Sequence, residues 1–108
     1  FVGGSPEQTT TDDVLFIDAE GMRVALVPIY AVFAHPDLAL LQKVFAFASS
    51  SSDVQIAVLH WGDEYAPRNN AKQSRIAHAL VDLGADVIIG HHPHVIQHIE
   101  LYHGAPIF

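Results

Sequence analysis

No cysteine occurs among the 108 residues, which excludes a disulfide framework and any thiolate metal site. Basic side chains are scarce as well. Five Lys and Arg stand against twelve Asp and Glu, for a formal charge of −7. A chain this acidic lacks the basic surface that nucleic acid requires, and it is poorly suited to electrostatic docking on anionic lipid. No apolar run approaches the roughly 20 residues of a membrane span. The opening Phe1-Val2-Gly3-Gly4 has no Met and no signal-peptide pattern. It reads like the end of a strand, and Ala105-Pro106-Ile107-Phe108 reads like the start of one, so both ends are expected to be cuts inside a larger fold.

What the chain does have is apolar residues, 50% of the total, with a mean hydropathy of +0.25. That is enough for one core, in a length close to the common domain size, and it points to strands buried on both faces. The coarse order is legible. Residues 3–13 form a loop rich in Gly, Ser, Pro and Thr. Val14-Leu15-Phe16-Ile17 is a strand, 18–21 a turn, and Met22 to Ile29 a second strand paired with the first as a hairpin. Pro36 and Asp37 open a helix that runs to about Ala48, with Leu38, Leu41, Val44, Phe45 and Ala48 along one face. Ser49 to Ser52 connect it to a strand, Val54 to Leu59. After a loop over 61–69, residues 70–83 form a helix with Ile76, Ala77, Leu80, Val81 and Leu83 buried and Lys72, Arg75 and Asp82 outside, ended by Gly84. Asp86 to Ile89 is the next strand. Alternation over Val95–Tyr102 predicts one more, followed by a turn at His103-Gly104.

Histidine is the residue in excess, with eight copies. Three fall within Gly90-His91-His92-Pro93-His94, immediately after the apolar run Val87-Ile88-Ile89. Another, His60, follows Val54–Leu59. Neutral imidazole is the commonest metal ligand, and clustered imidazoles are costly to bury without partners. The strand–helix–strand unit between the two groups is of the kind that is almost always parallel. If its strands are neighbours, both histidine groups emerge at the same, carboxyl, edge of the sheet, where α/β folds place their chemistry. The other histidines read blandly: His35 as a loop residue, His78 on the polar face of its helix, His98 on a strand surface, and His103 in a turn without a role. Trp61 is expected to pack beneath its loop. Asp63 and Glu64 taken alone read as solvated loop acids.

The segments His60-Trp61-Gly62-Asp63-Glu64-Tyr65 and Gly84-Ala85-Asp86-Val87-Ile88-Ile89-Gly90-His91-His92-Pro93-His94-Val95-Ile96-Gln97, with the helix between them, resemble the C-terminal signature of the CapA proteins of poly-γ-glutamate capsule synthesis. These belong to the calcineurin-like metallophosphoesterase superfamily. Residues 60–97 carry the specific likeness, and residues 1–59 match loosely. The resemblance implies an α/β/β/α sandwich with a two-metal site at the strand ends. It makes residues 1–108 a single partial domain, the C-terminal half of such a fold. It implies His60, His91, His92 and His94 as metal ligands, with either His91 or His92 as the partner of His94. His91 is then a ligand or a hydrogen-bond donor to the bound anion, and Glu64 orients an imidazole, so that His60, His91 and Glu64 form the catalytic set. The ions would be divalent Mn, Fe, Co or Zn, as suits nitrogen and oxygen donors.

The implied role is capsule synthesis or export at the cell envelope or outer face of the membrane. An anionic polymer or a phosphate-containing substrate and the capsule synthesis machinery would be its partners. The superfamily's early acidic and Asn-His ligands have no counterpart here. Two other readings stay open. One is a non-catalytic domain of the same fold that binds a partner or an anionic polymer. The other is an unrelated hydrolase with a single metal on His60, His92 and His94.

Overall fold

Residues 8–108 are described by a computed structural model. Six strands form one mixed sheet: β1 (Leu15–Ala19), β2 (Met22–Tyr30), β3 (Val54–His60), β4 (Val87–His91), β5 (Glu100–Tyr102) and β6 (Ala105–Ile107), in the order β1-β2-β3-β4-β6-β5. The hairpin pairs β1 with β2 antiparallel, and β2, β3, β4 and β6 run parallel. Two helices, α1 (Leu38–Ser50) and α2 (Ala71–Asp82), connect β2 to β3 and β3 to β4. This is a mixed α/β architecture.

Local chemistry sets the element ends. Asp37 caps α1, its Oδ1 accepting from the N–H groups of Ala39 at 2.9 Å and Leu40 at 3.1 Å. Pro36 therefore lies ahead of the cap rather than in the first turn. Ser49 and Ser50, expected in a connection, belong to the last turn, with hydroxyls that return to the carbonyls of Ala46 and Phe47. Asn70 and Gln73 make a reciprocal capping box at α2. Asp53 and Asp86 each stand one residue before a parallel strand and close its amino end. The Asp53 carboxylate accepts from Arg23 N at 2.8 Å, and that of Asp86 accepts from Gln55 N at 2.8 Å.

Register explains the core. Val27 pairs with Ala57, Ile29 with Leu59, and Ala57 with Ile88. Because side chains alternate across a strand, these residues share one face. They form a single buried cluster with Leu41, Val44, Phe45 and Ala48 of α1 and Ile76, Ala77 and Leu80 of α2, so both helices cover the same side. The opposite face carries Leu26, Ile56, Val58 and Val87, half-buried, together with Leu15, Ile17 and Ile89, each more than 40% exposed.

Four expectations need correction. The strand predicted over Val95–Tyr102 is an extended connection up to Ile99, and only Glu100–Tyr102 pairs, against β6. Its alternation meets no buried face: Ile96 is 91% exposed and Leu101 73%. His78 is half-buried rather than solvent-facing, with Nε2 at 2.7 Å from Glu100 Oε1 and its ring on Tyr102. His103 lies in the expected turn but is not without contacts: it stacks on Tyr102 and places Nδ1 at 3.4 Å from Asp82 Oδ1. Lys72 also turns inward, its ammonium donating to the carbonyls of Ala31 at 2.9 Å and Val32 at 3.2 Å just beyond β2.

Candidate metal centre

The parallel pairing of β3 with β4 ends at His60 opposite His91, and that of β2 with β3 ends at Tyr30 opposite His60. Tyr30, His60 and His91 thus form one row across three strand ends, on the face away from the helices. The two imidazoles meet through their Nδ1 atoms at 3.0 Å. That spacing suits an N–H···N hydrogen bond, or two nitrogens sharing one ion. The His92 ring lies 4.5 Å from that of His60, centroid to centroid, and 5.9 Å from that of His94.

Glu64 completes the group from the β3–α2 loop, with a carboxylate oxygen 4.0 Å from His94 Nε2. Ligand atoms of Glu64, His92 and His94 all lie within 4.8 Å of one another. Ligand atoms held at 2.0–2.2 Å in a tetrahedral site stand about 3.4 Å apart, so the triad would have to draw in around an ion. Such a movement is within the reach of Glu64 and His94, whose side chains are more than half exposed. The donor set fits a divalent transition metal. His60, His91, His92, His94 and Glu64 are therefore brought to one edge, whereas His35, His78, His98 and His103 lie apart from it.

The backbone is bent to achieve this. His92 has φ +102° and His94 φ +60° on either side of buried Pro93, and Tyr65 has φ +58°. Left-handed conformations of non-glycine residues cost of order 1–3 kcal/mol each and gather at functional sites. Gly90 is required by contact: a methyl group there would overlap the Trp61 indole, which packs beneath as expected at 5% exposure. Gly62 combines φ +81° with a close approach of the Gln73 amide. That amide is 3% exposed and donates from Nε2 to Gln97 Oε1 at 2.9 Å. Gln97 in turn donates to the carbonyls of Ala66 and Arg68, and Tyr65 N donates to Pro93 O at 2.7 Å. The loop that carries Glu64 is thereby tied to the loop that carries His92 and His94. Asp63 is spent on the Asn70 side chain at 3.1 Å.

Burial lowers the pKa of His60 from the usual histidine value, with help from His92 and His94. Burial likewise lowers that of His91, seconded by His60 and His92. Both are held neutral, the form that ligates metal. His91 Nε2 is fully buried and has no hydrogen-bond partner among the described residues. An orphan of this kind costs about 1–3 kcal/mol. A cavity of about 670 Å³ adjoins the imidazoles and is walled in part by Trp61, Ala77, Ile96 and Ile99.

Tyr30 and Tyr65 went unassigned in the sequence reading. Tyr30 stacks on His60 with centroids 5.7 Å apart and an interplanar angle of 11°, and Tyr65 stacks on His94 at 5.7 Å and 29°. The signal for Tyr30 was its position at the end of a strand parallel to β3. Tyr65 lay within the quoted motif.

The whole chain, residues 1–108, matches the protein family described as "Bacterial capsule synthesis protein PGA_cap". Over 61 residues it is 46% identical to the PGA biosynthesis protein CapA of Bacillus subtilis, covering 56% of this chain and 16% of that protein. It is 30% identical over 125 aligned positions to the capsule biosynthesis protein CapA of Bacillus anthracis, covering 100% of this chain and 30% of that protein. The chain spans less than a third of the length of either relative.

Proposed function

This chain belongs to the bacterial capsule synthesis protein PGA_cap family, and we propose that it contributes a metal-dependent, phosphoesterase-like hydrolase site to poly-γ-glutamate capsule synthesis or export. One observation carries the reading: the triad Glu64, His92 and His94 and the pair His60 and His91 share one sheet edge. In this proposal Glu64, His92 and His94 hold one divalent ion, and His60 and His91 contribute to a second. Such ions, when bound, polarise a phosphoryl or carbonyl oxygen and activate water. The chain's own part is to present neutral imidazoles on a braced loop, with Glu64 both a ligand and the anchor of His94. His91 Nε2, left without a partner, is the group free to donate to a bound anion or to accept an ion.

The apolar sheet face that neither helix covers supports a further element of the proposal, that these residues are one half of an α/β/β/α sandwich. Capsule machinery and an anionic or phosphate-bearing substrate are the proposed partners, with the cell envelope as the site of action. No helix among the described residues is long and apolar enough to cross a membrane. At a formal charge of −7, binding a polyanion needs the positive potential of bound metal. A single-ion site is the second reading, favoured because the described residues supply one group of three ligands and only one carboxylate, Glu64, at the cluster.

The test is elemental analysis of the intact protein beside a His92→Ala, His94→Ala double variant, followed by assays on phosphate esters and γ-glutamyl polymers. Two transition-metal ions per chain, lost in the variant, are expected. One ion selects the second reading. A metal-free wild type with the same fold as the variant refutes both.

A further inference from the structure

Each half of the imidazole cluster has a tyrosine laid against it. Tyr30 comes from the end of β2 and lies nearly parallel to His60, with an interplanar angle of 11° and centroids 5.7 Å apart. Tyr65 comes from the β3–α2 loop and faces His94 at 29° and 5.7 Å. Both separations fall in the range of favourable offset stacking. Neither ring is there to fill the core. Tyr65 is 70% exposed, and Tyr30 lies on the sheet face away from the helices.

Tyr65 is held at some cost. Its φ of +58° is a left-handed conformation, kept in place by the 2.7 Å hydrogen bond from its N–H to Pro93 O. That bond joins the Tyr65 backbone to the residue between His92 and His94. An exposed aromatic ring in a strained conformation, fastened to the histidine loop and stacked on one of its imidazoles, gains nothing for the core. Its contact constrains the plane of His94. Tyr30 does the same for His60 from the other side, because cross-strand register places it directly opposite.

We infer that Tyr30 and Tyr65 are positioning residues, which set the ring planes of His60 and His94 so that the nitrogen donors of the site are oriented before an ion arrives. The inference rests on the metal-binding reading for its purpose, but the clamp itself is a property of the ion-free protein. The rings act through stacking rather than through their hydroxyls, so phenylalanine replaces either one, whereas alanine or leucine does not.

The experiment uses the intact protein and two readouts. The first is NMR of the imidazole ring protons in chelator. Tyr65→Ala removes the ring-current shift from His94 and leaves His60 unchanged, Tyr30→Leu does the reverse, and Tyr65→Phe and Tyr30→Phe retain both shifts. The second is titration with cobalt(II) alone, read by its visible absorption. Tyr65→Ala weakens binding about tenfold and alters the absorption bands, as removal of a group that orients a ligand does, while Tyr65→Phe restores both. A general loss of stability would not alter the bands of the bound ion.

Imidazole resonances that do not move in Tyr65→Ala and Tyr30→Leu overturn the inference. So does a phenylalanine variant as impaired as the alanine one. If the ring-current shifts are present and respond as described but the wild type binds no cobalt, the clamp stands and the metal reading fails.

Discussion

The Nδ1 atoms of His60 and His91 lie 3.0 Å apart, across the last register pair of β3 and β4. The contact uses one nitrogen of each ring, and it leaves His91 Nε2 buried without a partner among the described residues. A nitrogen in that position is a liability to the ion-free fold and an asset to a liganded one. Phenylalanine at this position keeps the ring and removes both nitrogens. His91→Phe should therefore raise the stability of the protein in chelator, by about 1 kcal/mol if half of the usual desolvation cost is recovered, and should weaken metal binding at least tenfold. Urea unfolding in EDTA and a cobalt titration check the two halves. A variant that is destabilised in EDTA would show that the lost Nδ1 contact with His60 outweighs the relief of the orphan Nε2.

The lowered pKa values of His60 and His91 carry a sign for stability. Burial is the main cause for both, and neighbouring imidazoles add to it. In the unfolded chain both titrate near the ordinary value of about 6.5. Between their lowered values and 6.5, the unfolded state binds more protons than the native state, so stability rises with pH across that window. Metal-free protein should be insensitive to these two groups above pH 6.5 and should lose their contribution as pH falls below it. Urea midpoints measured from pH 7.5 to 5.0 in chelator should drop more steeply for the wild type than for a His60→Ala, His91→Phe variant. Parallel curves would contradict the assignment.

Gly90 lies within β4, one residue before His91, and its lack of a side chain is a packing requirement. A Cβ would overlap the Trp61 indole and would sit 3.0 Å from Phe108 O. Gly90 N also donates to that carbonyl at 2.7 Å. Neither neighbour yields easily, since Trp61 is buried in the core. Gly90→Ala should cost about 1–3 kcal/mol, the range for overpacking a tight interior, and should displace His91 from His60. Thermal unfolding and loss of the His60–His91 contact by NMR are the checks. A variant with unchanged stability would mean that Trp61 moves aside freely.

The parts of the site that were legible are those that follow from connectivity. Two apolar runs separated by one helix define a parallel pair, so the meeting of His60 and His91 was implied once the strands were adjacent. Pro36-Asp37, the apolar spacing of each helix and the closing Gly84 located both helices to within about two residues. Tyr30 was not found because its partnership with His60 depends on the register of β2 against β3, which no local pattern encodes. The left-handed conformations of His92 and His94 were hidden for a different reason: positive φ is uncommon for any non-glycine residue, and although histidine adopts it more readily than most, only tertiary contacts select the positions that do. Alternation over Val95–Ile99 misled because it was read as facing a core, whereas Gln97 points into the site loops and Ile96 points to solvent.

Gln97 ties three parts of the site together. Its amide accepts from Gln73 and donates to two carbonyls of the β3–α2 loop, so one side chain joins the helix, the loop bearing Glu64 and the loop bearing His92 and His94. Gln97→Ala leaves the Gln73 amide, 3% exposed, short of a partner, at a cost of about 1–3 kcal/mol. The larger consequence is local. With those bonds gone, residues 61–69 and 92–99 are joined chiefly by the bond from Tyr65 N to Pro93 O, and Glu64 is held less firmly near His94. Amide exchange should accelerate in those two segments and remain slow in β2, β3 and α1. Cobalt affinity should fall about tenfold, as it does when an outer-shell partner is lost. Gln97→Glu is the discriminating companion. It keeps an acceptor for Gln73 but turns two donated hydrogen bonds into repulsion against the carbonyls of Ala66 and Arg68. If the tie to the Glu64 loop is what matters, Gln97→Glu should impair cobalt binding as much as Gln97→Ala while losing less stability. If it binds cobalt as the wild type does, the bond to Gln73 is the important one, and the loop-to-loop tie is incidental.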